Sequence, residues 1–303
     1  MSCACPDPPL RSHALSIHLG AHKTASTHLQ HSLRQVRDGL REAGLALVDP
    51  NLLRGEPLSL SLILAQGMGG PDEAGARQVL RDLRQGCPDL LISEENILGL
   101  THRSRLFSRK GELYPRAAAR LRHVIALAGD EPAVLYLSLR DPASFIVSAF
   151  ALQVAGGKEI DLDSYLCGRD PARSVWLDLV GRLAAVEEVS RIVLWRYEDY
   201  PALRPQLLER LLPPGLAALV PDPPPANVGL TQAGYEWLLR RAAAEPEADI
   251  RLLARRARAR FQPAGGHAPL RLLDEATHAR SAENYARDIE ILRAIPGVEL
   301  LEP

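Results

Sequence analysis

The sequence predicts an α/β protein: an open, mainly parallel sheet with helices on both faces, followed by an all-helical C-terminal part. Three observations carry this. Short apolar, β-branched runs alternate with amphipathic helical patterns as far as about residue 200. Most of the candidate strands are apolar at nearly every position, as strands are when helices cover both faces of a parallel sheet. Beyond the break Pro221-Asp222-Pro223-Pro224-Pro225 only helical patterns remain.

Residues 1–13 contain prolines and cysteines and are expected to be disordered. Leu15-Ser16-Ile17-His18-Leu19 reads as a buried strand that ends at Gly20. The helix after it carries Leu29, Leu33, Val36 and Leu40 on one face and stops near Gly44. Leu45–Val48 is a short strand closed by Asp49-Pro50, and residues 58–67 and 72–86 read as helices around Gly69-Gly70-Pro71. Asp89–Ser93 is a strand with Glu94-Glu95-Asn96 at its end, and 112–128 is a helix. Ala133–Leu139 is the strongest strand, and Arg140-Asp141-Pro142 opens a helix that runs to about Ala155. A helix over 173–189 and a strand over 191–195 follow, then helices over 231–244, 246–261 and 274–294. The expected organisation is an α/β core over 14–225, with 226–303 a helical part of the same domain.

At 303 residues, with 24% charged and 46% apolar residues, the composition is that of a globular protein with a sizeable core. A net charge of −1 gives no global attraction to nucleic acid or to an anionic membrane, so neither is expected as a partner and any anion site must be local. Lysine is confined to Lys23, Lys110 and Lys158. Cys3-Ala4-Cys5 is too closely spaced for a metal pair, and Cys87 and Cys167 stand alone, so no metal site is expected. There is no signal-peptide pattern, and the apolar stretch near 124–139 is interrupted by Gly129-Asp130-Glu131-Pro132. The expectation is a cytoplasmic enzyme.

The stretch Leu15–Gln30 combines a strand, a turn rich in small and hydroxyl residues, and a helix. Turn amides and the positive end of a helix point at one spot, where a phosphate or sulfate fits. Lys23 adds a compact charge, and the hydroxyls of Thr24, Ser26 and Thr27 add neutral donors. The loop is not that of the common nucleotide triphosphatases, because Gly20 precedes Lys23 by only three residues and no glycine adjoins the lysine. Lys23-Thr24-Ala25-Ser26-Thr27 instead resembles the first motif, K-[ST]-G-[ST]-T, of sulfotransferases that use 3′-phosphoadenosine-5′-phosphosulfate (PAPS). The departure is Ala25 in place of glycine, which suits a residue that is already helical with negative φ.

A second stretch strengthens the resemblance. Arg140 stands at the carboxyl end of the central strand, with Pro142 and Ser148 two and eight residues on. This is similar to the family's second motif, whose arginine and serine hold the cofactor's 3′-phosphate. Ser93-Glu94-Glu95-Asn96 is similar to the strand-end S-x-E of bacterial members, which implies Glu95 as general base with Glu94 pointing the other way. Leu100-Thr101-His102 supplies a rival base, His102, while His18 and His22 beside the cradle read as structural. Arg196-Tyr197-Glu198-Asp199 resembles the family's R-Y-E-D turn. The usual C-terminal R-K-G-x-x-G segment is missing, and Ala264-Gly265-Gly266-His267 replaces it poorly.

The resemblance implies a P-loop-like three-layer fold, PAPS as co-substrate, no metal, and transfer of a sulfuryl group to a hydroxyl or amine. The site residues it implies are Lys23, Thr24, Ala25, Ser26, Thr27, Arg140 and Ser148, with Lys23 and Glu95 catalytic. Few aromatics (5%) argue against an aromatic cage, and the arginines at 251, 255, 256, 258 and 260 favour a polar or acidic acceptor such as a carbohydrate. Those arginines read as the solvated face of an amphipathic helix, or as lining the mouth of the anion site. The rival readings are a kinase or triphosphatase, with Glu94 or Glu95 holding Mg²⁺ beside ATP, and a non-catalytic nucleotide-binding protein.

Overall fold

Six strands form one sheet in the computed structural model, which describes residues 14–158, 160–224 and 229–303. They are β1 (Leu15–His18), β2 (Leu45–Val48), β3 (Asp89–Ser93), β4 (Ala133–Leu139), β5 (Val189–Arg196) and β6 (Val298–Leu300). All pairs are parallel, in the order β2-β3-β1-β4-β5-β6. Ile17 at the centre lies between Ile92 on β3 and Leu135 on β4. The chain leaves β1 toward β2 on one side and leaves β4 toward β5 on the other. Where two such connections diverge, the carboxyl ends of the strands open into a crevice.

Side chains alternate along the strands into two separate cores, as the pleat requires. On one face α1 (Ser26–Gln35) and α2 (Arg37–Glu42) bring Leu29, Leu33 and Leu40 onto Leu47, Leu91 and Val134. The other face is larger. Between β2 and β3 the chain forms α3 (Pro50–Leu53), α4 (Leu60–Gln66) and α5 (Glu73–Arg84), and between β3 and β4 α6 (Arg103–Leu106) and α7 (Ala117–Ala128). Then come α8 (Pro142–Ala155), α9 (Leu162–Leu166) and α10 (Trp176–Ala184) before β5, and α11 (Tyr200–Leu211) after it. Leu80, Leu121, Phe150 and Leu179 cover Ile17, Ile92, Leu135 and Leu194 there, while Leu203 and Leu207 of α11 join the first core. Each such side chain contributes roughly 1.5–3 kcal/mol by leaving water, so both faces are firmly held.

The C-terminal part holds α12 (Gln232–Ala244), α13 (Ile250–Arg260) and α14 (Glu275–Arg293). The last two pack on α8. This part is not all helix: after α14 the chain returns to the sheet as β6, parallel to β5. β6 has three half-buried residues and no alternation to announce it. α11 was also not expected; Pro201 sits in its first turn, where the missing N–H does no harm, and only Pro205 is interior. The helix after the cradle breaks at Val36 into α1 and α2. The helix expected from 112 starts at Ala117, because Phe107 and Leu113 form an antiparallel bridge first. The expected disorder of residues 1–13 and part of the proline break lie outside the described residues.

Candidate functional site

The turn after β1 is shaped by three residues with positive φ: Gly20 (35°), Lys23 (66°) and Ala25 (65°). A Cβ on Gly20 would overlap the Ser26 hydroxyl and come within 2.9 Å of His18 Nε2, so only glycine fits. Ala25 is not helical with negative φ, as the sequence suggested. It is the left-handed N-cap of α1, in a conformation that suits glycine, and it holds about 1 kcal/mol of strain. No side chain caps α1, and among the described residues the Ser26 and Thr27 amides have no hydrogen-bond partner. Those N–H groups and the helix dipole favour an anion. Two of the three expected hydroxyl donors serve the turn itself: Thr24 Oγ1 donates to the Ala21 carbonyl at 2.6 Å and Ser26 Oγ to the same oxygen at 3.4 Å. Thr27 makes no such bond.

Lys23 and Arg140 lie on the same side of the sheet. Arg140 Nη1 donates to the Lys23 carbonyl at 2.7 Å, and its guanidinium carbon sits 4.4 Å from the centre of the Tyr197 ring. Arg140 Nε is buried without a hydrogen-bond partner among the described residues. The Arg140 carbonyl accepts the Trp176 indole N–H at 2.7 Å, which anchors the residue in the crevice between β1 and β4. The neighbouring acids, Glu198 and Asp141, act on the Arg140 charge but make their hydrogen bonds to other groups. Asp141 accepts from the Ser144 amide at the start of α8 and from Ser281 Oγ, and Glu198 accepts from the Asp141 amide at 3.0 Å. Neither Lys23 nor Arg140 has an ion pair among the described residues. Burial, then the charges of Arg140 and Arg258, push the Lys23 ammonium below its ordinary pKa.

Arg258 is therefore the third cation here, and it comes from the arginine-rich stretch. Two observations orient α13 against α8. Near its start, the Arg251 backbone lies where a Cβ on Gly157 would touch it, just past the end of α8. Near its other end, Arg258 acts on Lys23 at the strand ends where α8 begins. The two helices run antiparallel, with Leu253, Ala254 and Ala257 buried and Arg258 at the edge of that seam. The sequence showed five candidate arginines; only the docking of α13 selects one. Ser148 lies two turns into α8, half-buried, one turn beyond Ser144 on the same stripe, and no hydrogen bond ties it to Arg140.

The strand-end acids form a second cluster. Arg54, just after α3, holds both of them: Nε and Nη2 donate to Glu94 at 2.8 and 2.7 Å, and Nη2 also donates to Glu95 Oε1 at 2.7 Å. Glu94 does not point away from Glu95, because β3 ends at Ser93 and a 3₁₀ turn over Glu95–Ile97 breaks the strand's alternation. Gln30 Nε2 of α1 donates to the other oxygen of Glu95 at 3.0 Å. Burial works to raise the Glu95 pKa, but Arg54, His22 and Gln30 outweigh it and hold the carboxyl below its usual range. For Glu94 burial wins and raises it.

His22 bonds Tyr114 OH at 2.8 Å and Asn96 Oδ1 at 3.1 Å, and burial lowers its pKa. His18 bonds Ser93 Oγ at 2.7 Å, stacks on Trp195, and is pushed down by burial to about 4. Both are neutral structural groups, as their positions suggested. His102 caps α6 through Ser104, and none of its contacts reaches Lys23 or Glu95. Tyr197, set aside in the sequence as part of a turn, belongs to the site through its face on Arg140.

Comparison with models of known families, with curated proteins and with solved structures gave no match. The fold and the site's own chemistry define the class: an α/β protein whose switch-point crevice gathers three cations, bare turn amides and, on the β3 side, an ionised carboxylate. Among the described residues no helix is long and apolar enough to cross a membrane.

Proposed function

We propose that the protein is a PAPS-dependent sulfotransferase acting on a hydroxyl of a carbohydrate or other polar acceptor. One observation carries the reading: the cations of the two motifs, Lys23 and Arg140, meet in one crevice, and neither is in an ion pair among the described residues. A nucleotide phosphorylated at both the 5′ and 3′ positions suits such a pair. The orphaned Arg140 Nε and the uncapped amides of Ser26 and Thr27 fit the same ligand, since buried donors ordinarily have partners.

PAPS would bring the sulfuryl group and a phosphate leaving group. The residues of this chain do the rest. Lys23 and the turn amides stabilise negative charge that develops near the turn; losing one such donor typically lowers the rate by about 10²–10³. Arg140, steadied by Tyr197 and Trp176, and Arg258 hold the 3′-phosphate, with Ser148 the hydroxyl on the adjoining stripe of α8. Arg258 would take the place of the C-terminal basic segment that the sequence lacks. Glu95 is ionised at neutral pH, and each of its oxygens keeps a lone pair beyond the bond it already accepts, so it can receive the acceptor's proton.

The kinase reading needs Glu94 or Glu95 as a metal ligand. The Arg54 guanidinium already bridges both carboxylates, and its charge opposes a divalent cation there, which favours the sulfotransferase. The test is radiolabelled sulfuryl transfer from PAPS to a panel of saccharides. Transfer that falls at least a hundredfold in Lys23→Ala supports the reading, and transfer unaffected by that change removes it.

A further inference from the structure

Across α8 from the crevice lies a second cleft of about 230 Å³, between the loop that precedes α7 and the connection from α9 to α10. Its rim holds Arg109, Lys110, Arg169 and Arg173. None of these four has an ion pair among the described residues. The single acid on the rim, Asp170, is taken by Arg280 at 2.7 Å and by the Ala172 amide. Four positive charges therefore face one committed negative one.

The two inner arginines are already positioned. Arg169 Nη1 donates to the Leu166 carbonyl at 2.9 Å and Nη2 to the Ser108 carbonyl at 3.4 Å, which leaves Nε and one N–H on each Nη free among the described residues, and its guanidinium lies over the Phe107 ring at 5.5 Å. Arg173 Nη1 reaches the Lys110 carbonyl at 3.4 Å. A Cβ on Gly111 would come within 2.9 Å of that same nitrogen, so the glycine makes room for the arginine. Each guanidinium keeps free N–H groups in a fixed fork, the geometry that grips a carboxylate, sulfate or phosphate through two bonds. Arg109 and Lys110 are exposed, make no side-chain hydrogen bond among the described residues, and place their charges at the mouth. The floor is Phe107, Ile146 and Val175, all buried and apolar.

We infer that this cleft binds the acidic group of a uronic or sulfated sugar. The forks take the oxyanion, and the floor takes the hydrocarbon face of the ring. The volume falls below that of sites for drug-sized ligands, which suits one ring and its acidic group. Binding here involves no residue of the crevice, so the inference stands or falls separately from the proposed transfer activity.

The probe is glucuronate, titrated into the whole chain at low salt with arginine Nε–H resonances followed by NMR, beside inorganic sulfate and a short single-stranded oligonucleotide. The expected result is saturable glucuronate binding that shifts the Arg169 and Arg173 signals. Affinity should fall at least tenfold in Arg169→Gln/Arg173→Gln, should fall also in the surface variant Arg109→Gln/Lys110→Gln, and should hold in Lys23→Ala. The surface variant removes no hydrogen bond, so its fold is not at risk. No saturable binding, affinity indifferent to both double variants, sulfate binding as tightly as glucuronate, or the oligonucleotide binding more tightly at these arginines would each overturn the proposal.

Discussion

Ala25 shows how a departure from a motif can be read physically. The resemblance asked for glycine, and the reason is now visible: the N-cap of α1 takes φ 65°, where a Cβ is unwelcome. Ala25→Gly should stabilise the protein by about 1 kcal/mol and raise Tm by roughly 2–4 °C, read by thermal denaturation, with anion binding retained. An unchanged or lowered Tm would mean that the strain is not there. The neighbouring His18 makes a pH prediction. Its folded pKa of about 4 lies below the ordinary 6.5, so the unfolded chain binds more protons between those values. Stability from this group is present above pH 6.5 and is lost as pH falls toward 4, by about 3 kcal/mol in all. Denaturation at pH 7 and pH 5 should show the loss, and His18→Asn, which can keep a bond to Ser93, should reduce it.

Among the elements, the 3₁₀ turn after β3 and the segment after α3 depend on each other through Arg54. Glu94 is nearly fully buried, and Arg54 is the one side-chain cation it touches among the described residues. Removing one partner of such a pair leaves a buried charge, at a cost of roughly 3–5 kcal/mol. Arg54→Met should therefore destabilise the protein by about that much at neutral pH, measured by urea denaturation. The penalty should shrink in acid, where the freed Glu94 takes up a proton. A penalty that stays constant with pH would show that the charge is not what is being compensated.

The elements also show what the sequence could reveal. The strands β1 to β5, the long helices and the cradle were legible because continuous apolar runs and 3.6-residue spacing are local signals. α11 was hidden by Pro201 and Pro205, since the tolerance for proline depends on its distance from a helix start that was itself unknown. β6 was hidden because three residues carry no period. At the candidate site, Lys23 and Arg140 were singled out by their places at strand ends and by the motif resemblance, whereas the joint clamp of Arg54 on Glu94 and Glu95 could not be. That contact joins residues 40 and 41 positions apart, and no local pattern encodes it. Arg258 and Tyr197 were illegible for the same reason: their roles come from which helix face docks and which loop lies beneath the guanidinium.

For the molecule as a whole, the order β2-β3-β1-β4-β5-β6 sets what the chain can do. It places the turn after β1 beside the start of α8, folds α13 back along α8, and so assembles positive charge from three distant parts of a chain whose net charge is only −1. Under the proposed function, charge concentrated in this way meets a ligand with two separated anionic groups. The most direct test is calorimetric titration of 3′-phosphoadenosine-5′-phosphate and of AMP, without metal, into the wild-type protein and Arg140→Gln. Charged hydrogen bonds of roughly 1.5–3 kcal/mol predict that the doubly phosphorylated nucleotide binds about ten- to a hundredfold more tightly than AMP, and that Arg140→Gln erases the difference. Equal affinity for the two nucleotides in the wild-type protein, or binding of neither while ATP with Mg²⁺ binds, would contradict it.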